Sequence, residues 1–187
     1  MMDERLKRIK LLAMDVDGTL TDGAMIFHGG EQIKSFSVYD GLGIRLAMNY
    51  GLRIAWITGN VTESVARRAH MLGVEDVYQG VRYKSRAIDE IAKLYSLNRN
   101  EIAYIGDDLN DLPAFERAGF SIAVPNAAEE VKARADMTTR LAGGKGAVRE
   151  AIETILKAGG RWDDAVRSFL DELALEEDIK KGPEAVA

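Results

Sequence analysis

Ile9-Lys10-Leu11-Leu12-Ala13-Met14-Asp15-Val16-Asp17-Gly18-Thr19-Leu20-Thr21-Asp22-Gly23 is the stretch whose reading decides the fold. Its first part, Ile9 to Met14, is a short and nearly continuous apolar run. The rest is turn chemistry. A run of this length closed by Asp-Val-Asp-Gly reads as a strand buried on both faces. Strands of that kind belong to parallel sheets covered by helices, so the chain beyond should alternate strand and helix.

It does. Met25 to Val38 has Gly29-Gly30 at its centre and reads as a β-hairpin. Gly41 to Tyr50 is expected to be a helix, Arg53 to Ile57 a second buried strand, and about Thr62 to Leu72 a helix. Val74 to Tyr78 reads as a short strand. Ala87, Ile88, Ile91 and Leu94 mark a helix over Lys84 to Tyr95. Glu101 to Ile105 is a strand that stops at Gly106-Asp107-Asp108. Further helices are expected at Leu112 to Ala118, Ala127 to Arg134 and Ala147 to Ala158, with a strand at Phe120 to Val124. The fold class is α/β, with a mainly parallel sheet and right-handed crossovers. Residues 1–158 are expected to form one domain with a hairpin flap at about 24–38. Residues 159–187 are expected to form a helical tail, its stripe of Trp162, Val166, Phe169, Leu170 and Leu173 docked on the body or on a neighbouring subunit. Lys180 to Ala187 are expected to be disordered.

Composition narrows the chemistry. The chain has 187 residues, 47% of them apolar and 29% charged, as a globular protein does. A formal charge of −5 gives no pull toward nucleic acid or an anionic membrane. The absence of cysteine excludes disulfides, thiolate catalysis and zinc–thiolate sites. The N-terminus lacks the apolar core of a signal peptide, and no apolar run reaches the ~20 residues of a membrane span. A cytoplasmic location is expected.

Four polar clusters follow strands or open helices, and ligands of open parallel sheets bind beyond the carboxyl ends of the strands. In the first, Gly18 permits the break that aims Asp15 and Asp17 into one pocket. One carboxylate can attack phosphorus, and the other can protonate the leaving oxygen and then activate water. An isolated Asp-x-Asp-Gly also reads as a solvated Asx turn; its place after a buried strand favours the chemical reading. Thr58-Gly59-Asn60 can hold phosphate oxygens, although it is equally an ordinary strand-to-helix turn. Lys84 can neutralise a phosphate, although most lysines are solvated. In Gly106-Asp107-Asp108-Leu109-Asn110-Asp111, the acids can bind magnesium, cap a helix, or do both. His28 and His70 make no metal pair. Gly143 to Gly146 reads as a flexible turn near a subunit boundary, and the methionines as core filler.

Taken together and in this order, the clusters resemble the haloacid dehalogenase superfamily of phosphohydrolases, over about Ile9 to Ala158. The resemblance implies Asp15 as nucleophile and Asp17 as acid/base. It implies phosphate binding by Thr58 and Lys84. It places Mg2+ on Asp107, the Asp15 carboxylate and the Asp17 main-chain carbonyl, with Asp108 and Asp111 behind them. Neither gap between motifs has room for a cap domain, so the chain resembles the capless branch that contains the octulosonate phosphate phosphatases. Lys34-Ser35-Phe36-Ser37-Val38-Tyr39-Asp40-Gly41-Leu42-Gly43-Ile44-Arg45, Tyr78-Gln79-Gly80 and Ala142 to Glu150 carry that likeness.

The branch implies a phosphorylated sugar acid as substrate. It also implies a homotetramer in which each hairpin covers a neighbour's active site. Ser37, Tyr39, Asp40, Arg45, Gly59, Asn60, Arg68 and Asn110 are the expected substrate-side residues. Tyr39 and Asn60 stand where the branch usually carries arginine, which weakens the expected grip on a carboxylate or phosphate. A nonulosonate 9-phosphate or a broader range of sugar phosphates is therefore an alternative. So is a non-catalytic phosphatase-like module, although such a module has no physical need to keep Asp15, Asp17, Lys84 and Asp107 together.

Overall fold

The computed structural model describes residues 2–180. After a short helix α1 (Met2–Leu6), the chain enters β1 (Leu11–Met14). A small antiparallel hairpin, β2 (Ile26–His28) and β3 (Glu31–Ile33), leads to α2 (Val38–Asn49). Then come β4 (Arg53–Ile57), α3 (Glu63–Leu72), β5 (Asp76–Tyr78), α4 (Lys84–Leu94) and β6 (Ile102–Gly106). The chain continues through α5 (Leu112–Phe115), β7 (Phe120–Ala123), α6 (Glu129–Lys132) and β8 (Met137–Thr138), and closes with α7 (Ala147–Ala158) and α8 (Trp162–Lys180).

Six strands form one sheet in the order β5-β4-β1-β6-β7-β8, and every pairing is parallel. No cap domain is present among the described residues. β1 is central, paired with β4 on one side and β6 on the other, and all four of its residues are buried. β6 and β7 are likewise buried throughout, which is why their sequences read as continuous apolar runs. The chain leaves β1 toward β4 and β5, then returns to β6 on the opposite flank. That reversal beside β1 is the switch point at which an open α/β sheet opens a crevice. Three polar clusters stand there, each directly after its strand: Asp15 after β1, Thr58 after β4, Asp107 after β6.

Several boundaries differ from the sequence reading for local reasons. α2 starts at Val38, because Ser37 caps it by accepting the Asp40 N–H at 3.4 Å. The helix expected over Leu112 to Ala118 is only Leu112–Phe115; a 3-10 turn at Leu109–Asp111 precedes it. The helix expected over Ala127 to Arg134 is Glu129–Lys132. β5 begins at Asp76, since the Val74 N–H is spent on the Ala69 carbonyl at the end of α3. β8, two residues long, carries no periodic signal and was not foreseen.

α8 docks through its first turns. Ala165 is buried, and the Trp162 ring lies 4.9 Å from the Arg149 guanidinium and 5.3 Å from the Lys157 ammonium. Leu170, Leu173 and Leu175 further along are exposed. The expectation of disorder over Lys180 to Ala187 falls, beyond Lys180, outside the described residues. Among the described residues no helix is long and apolar enough to cross a membrane.

Candidate active site

The loop after β1 folds back on itself through its own polar groups. The Leu20 and Thr21 N–H groups both donate to the Val16 carbonyl at 3.0 Å. The Thr21 hydroxyl donates to the same carbonyl at 3.2 Å and accepts the Gly18 N–H at 3.3 Å. Gly18 has φ +94°, and a Cβ there would lie 2.0 Å from Asp107 Oδ2. Only glycine satisfies both conditions.

A second layer braces this loop. The Asn126 amide donates to the Gly18 carbonyl at 2.9 Å and accepts the Gly143 N–H at 2.7 Å, while the Gly144 N–H donates to the Thr19 carbonyl at 3.0 Å. A Cβ on Gly143 would stand 1.8 Å from the Gly18 oxygen. The Gly143 to Gly146 segment is therefore a close-packed brace on the loop of Asp15. The flexible turn expected there is corrected by this contact.

Asp15 is buried, and its Oδ1 accepts from Lys84, the first residue of α4. Lys84 is itself fully buried and donates also to Asp111 Oδ1 at 2.7 Å. Asp111 is the hub of the floor. It accepts the Tyr104 hydroxyl at 2.7 Å and the Asp107 and Asp108 N–H groups at 2.8 and 3.1 Å. Burial first, and then the Asp111 charge, pushes the Asp15 carboxyl well above the usual carboxylate range, against the pull of Lys84. Burial and Asp111 likewise push Asp107 up to about 6. Burial works against the charge on Lys84, but Asp15 and Asp111 outweigh it and raise its pKa, so the ammonium stays charged.

Asp17 is held differently. Its Oδ1 accepts from Lys34, and its Oδ2 accepts the Thr58 hydroxyl at 3.2 Å and the Asn60 amide at 3.0 Å. Burial opposes the charge here too, yet these three donors outweigh it and hold the carboxyl below its ordinary value. The Asn60 N–H donates to the Thr58 hydroxyl at 3.2 Å, which closes the turn after β4.

The structure thus brings Asp15, Asp17, Thr58, Asn60, Lys84, Asp107 and Asp111 together. Gly59, Asn110 and Asp108 are exposed beside them, and the Asp108 carboxylate caps the 3-10 turn by accepting the Leu109 N–H at 2.8 Å. The remaining substrate-side expectations lie elsewhere. The Asp40 carboxylate is buried and accepts the Gly146 and Arg149 N–H groups at 3.2 and 2.7 Å, so it caps α7 from α2. Ser37 caps α2. Tyr39 and Arg45 are exposed on α2. Arg68 packs over Gly41, where a Cβ would meet its guanidinium at 2.2 Å, and its buried Nε has no hydrogen-bond partner among the described residues. None of these joins the hydrogen bonds of the cluster.

Lys34 was missed as a site residue. It opens a segment that carries the family likeness, but as a cation between Ile33 and Phe36 at the end of a flap strand it reads as surface. Tyr104 and Asn126 carried no signal either, since each is an ordinary residue until the fold brings it to Asp111 or Gly18.

Oxygen atoms of Asp15, Asp107 and Asp111 all lie within 4.8 Å of one another. Two buried carboxylates and a half-buried one at such spacing require a proton or positive charge among them, and Lys84 alone does not balance three. An all-oxygen, acidic donor set of this kind fits magnesium, which keeps several waters and binds through one or two carboxylates.

Comparison with known proteins agrees with this chemistry. Residues 73–152 match the haloacid dehalogenase-like hydrolase family. The 3-deoxy-D-manno-octulosonate 8-phosphate phosphatase KdsC of Escherichia coli K12 is 42% identical over 163 residues, 86% of each chain. This chain is a haloacid dehalogenase-like hydrolase. KdsC of Haemophilus influenzae is 40% identical over 172 residues, 90% of this chain and 96% of that one. The Moraxella catarrhalis octulosonate phosphatase, crystallised with magnesium, phosphate and KDO, superposes with a TM-score of 0.87 at 43% identity, covering 90% and 97% of the two chains. A cobalt-bound form of the H. influenzae enzyme gives 0.84 at 40% identity, covering 89% and 99%. In this hydrolase the acidic cluster at the switch point can hold a divalent cation.

Proposed function

We propose that this hydrolase is a magnesium-dependent phosphomonoesterase whose substrate is 3-deoxy-D-manno-octulosonate 8-phosphate. The observation that carries the proposal is the buried Asp15–Lys84–Asp111 arrangement beside Asp107, in a chain 42% identical to KdsC. The magnesium ligands would be Asp15, Asp107 and the Asp17 carbonyl. Bound there, the ion supplies positive charge to the phosphate oxygens.

Asp15 attacks phosphorus in line. The ester P–O bond breaks, and Asp17 gives its proton to the leaving oxygen. The aspartyl phosphate is then hydrolysed by a water whose proton Asp17 takes. Lys84 favours the ionised form of the attacking carboxyl, against burial and Asp111, and faces the charge that builds on the phosphoryl oxygens. Asp17 without substrate is held as an anion. An incoming phosphate repels that charge and competes for Thr58 and Asn60, two of the donors that hold its pKa down. Oδ2 is thereby freed to carry the proton.

The exposed apolar residues of the hairpin, Met25, Ile26, Phe27 and Ile33, support a homotetramer in which each flap covers a neighbour's site and excludes water. A second reading has its own support. Asn60 turns inward to Asp17, and the exposed Tyr39 replaces a charged donor. Both take away a charged donor, which supports a nine-carbon sugar acid as the alternative substrate. A steady-state comparison of kcat/KM for eight- and nine-carbon acid phosphates and hexose phosphates, with and without magnesium, tests both readings. Activity on none of them would support a non-catalytic role.

A further inference from the structure

Lys34 is a buried lysine that the chemistry above leaves without a task. Its side chain is 1% exposed, although it follows a hairpin strand whose neighbours face solvent. A lysine this enclosed is retained only when paired, and Asp17 is its ion partner. The backbone on both sides is anchored. Upstream, the Gln32 carbonyl accepts the Ser64 hydroxyl of α3 at 3.0 Å. Downstream, the Phe36 ring stacks on Trp56 of β4, with centroids 6.0 Å apart and 18° between the planes. Trp56 is fully buried and stands two residues before Thr58. The hairpin's return strand is thus strapped to the same two elements that present Thr58 and Asn60.

The two oxygens of Asp17 are divided between these supports. Oδ1 takes Lys34; Oδ2 takes Thr58 and Asn60. Thr58 and Asn60 belong to the turn that the phosphate reading uses, and an entering phosphate draws them away. Lys34 comes from a different segment and has no such competitor on Oδ1.

We propose that Lys34 is a positioning residue for proton transfer: it pins Asp17 Oδ1, so that Oδ2 alone carries the proton to the leaving oxygen. The hairpin then acts on the active site of its own chain, in addition to any cover it gives a neighbour. The inference rests on the phosphatase reading, with Asp17 as general acid.

The test compares two phosphate monoesters, a primary sugar phosphate and 4-nitrophenyl phosphate, by kcat/KM. That constant reports only steps up to release of the alcohol. A nitrophenolate leaves without a proton; an alkoxide does not. Lys34→Met is expected to lower kcat/KM for the sugar phosphate at least about tenfold more than for the aryl ester, within the range general acids contribute. Inhibition by inorganic phosphate should keep its constant. Thermal melting checks the fold, and Lys34→Gln, which keeps a polar head in the slot, carries the same comparison if the methionine variant does not fold. Equal losses on both esters with weakened phosphate inhibition would make Lys34 a phosphate ligand and overturn the proposal. So would no loss on either. A wild-type chain that hydrolyses neither ester overturns the phosphatase reading itself.

Discussion

Asp15 and Lys84 are paired with almost no solvent around them: Asp15 and Asp111 hold the Lys84 ammonium charged, while Lys84 pulls against the burial that raises the Asp15 carboxyl. Asp15→Asn removes the attacking oxygen but leaves Lys84 its partner Asp111, so activity should fall by at least about 10³-fold while the melting curve stays cooperative. Lys84→Met instead strands two buried acids. It should cost about 3–5 kcal/mol in chemical denaturation as well as the activity. Asp107 gives a pH signature. Its carboxyl rises from the ordinary 3.8 to about 6 in the fold, so between those values the folded chain binds more protons than the unfolded one. Metal-free stability should therefore decline as pH rises through that window. A cation that needs the carboxylate must displace the proton, so magnesium affinity should weaken as pH falls below about 6. Calorimetric titration with magnesium at about pH 5 and 7, beside melts in chelator, reads both. Asp15, Asp17, Thr58, Lys84 and Asp107 were legible in the sequence because each sits at a strand end or a helix start. Lys34, Tyr104 and Asn126 were not, because their partners are fixed only by tertiary packing; the Asn126–Gly18 bond spans 108 residues.

Between elements, Asp40 shows how a sequence signal can point to the wrong task. The resemblance placed Asp40 among the substrate-side residues. The carboxylate instead caps α7 from α2 with two N–H bonds. Asp40→Ala leaves buried donors unsatisfied and should destabilise by about 1–3 kcal/mol, with KM changing little beside the drop in Tm. A second tie joins α1 to the β7–β8 edge. Asp136 accepts from Arg5 at 2.7 and 2.8 Å and from the Ser121 N–H at 2.9 Å. Burial opposes its charge, but Arg5 and Ser121 outweigh burial and hold the carboxyl below 3.8. A depressed carboxyl stabilises the fold above its unfolded pKa, and that contribution is lost as pH falls through the folded value. The stability gap between wild type and Asp136→Asn should therefore close below about pH 4. The strands Arg53–Ile57 and Phe120–Ala123 and the helix Ala147–Ala158 were readable because burial writes a periodic or continuous pattern. β8 writes none, and α5 and α6 were readable as helices but not in their short extents.

For the whole molecule, the parallel order was implied by alternating strands and helices, but the reversal beside β1 was not. It depends on which flank each crossover takes. The apolar hairpin face makes assembly testable. Light scattering should return four times the chain mass, and Phe27→Asp should shift the mass downward and lower kcat/KM together.

The brace on the catalytic loop also sets an order in time. Gly143 and Gly144 close on backbone at Gly18 and Thr19, so the loop after β1 waits for a segment much later in the sequence. A ribosome delivers that segment late. Asp15 emerges early, together with its apolar strand, but the turn that aims it has only its own hydrogen bonds until the glycines arrive. A chain that stops short of residue 143 lacks that packing. The brace on the Asp15 loop is complete only once residues 143–144 have been made.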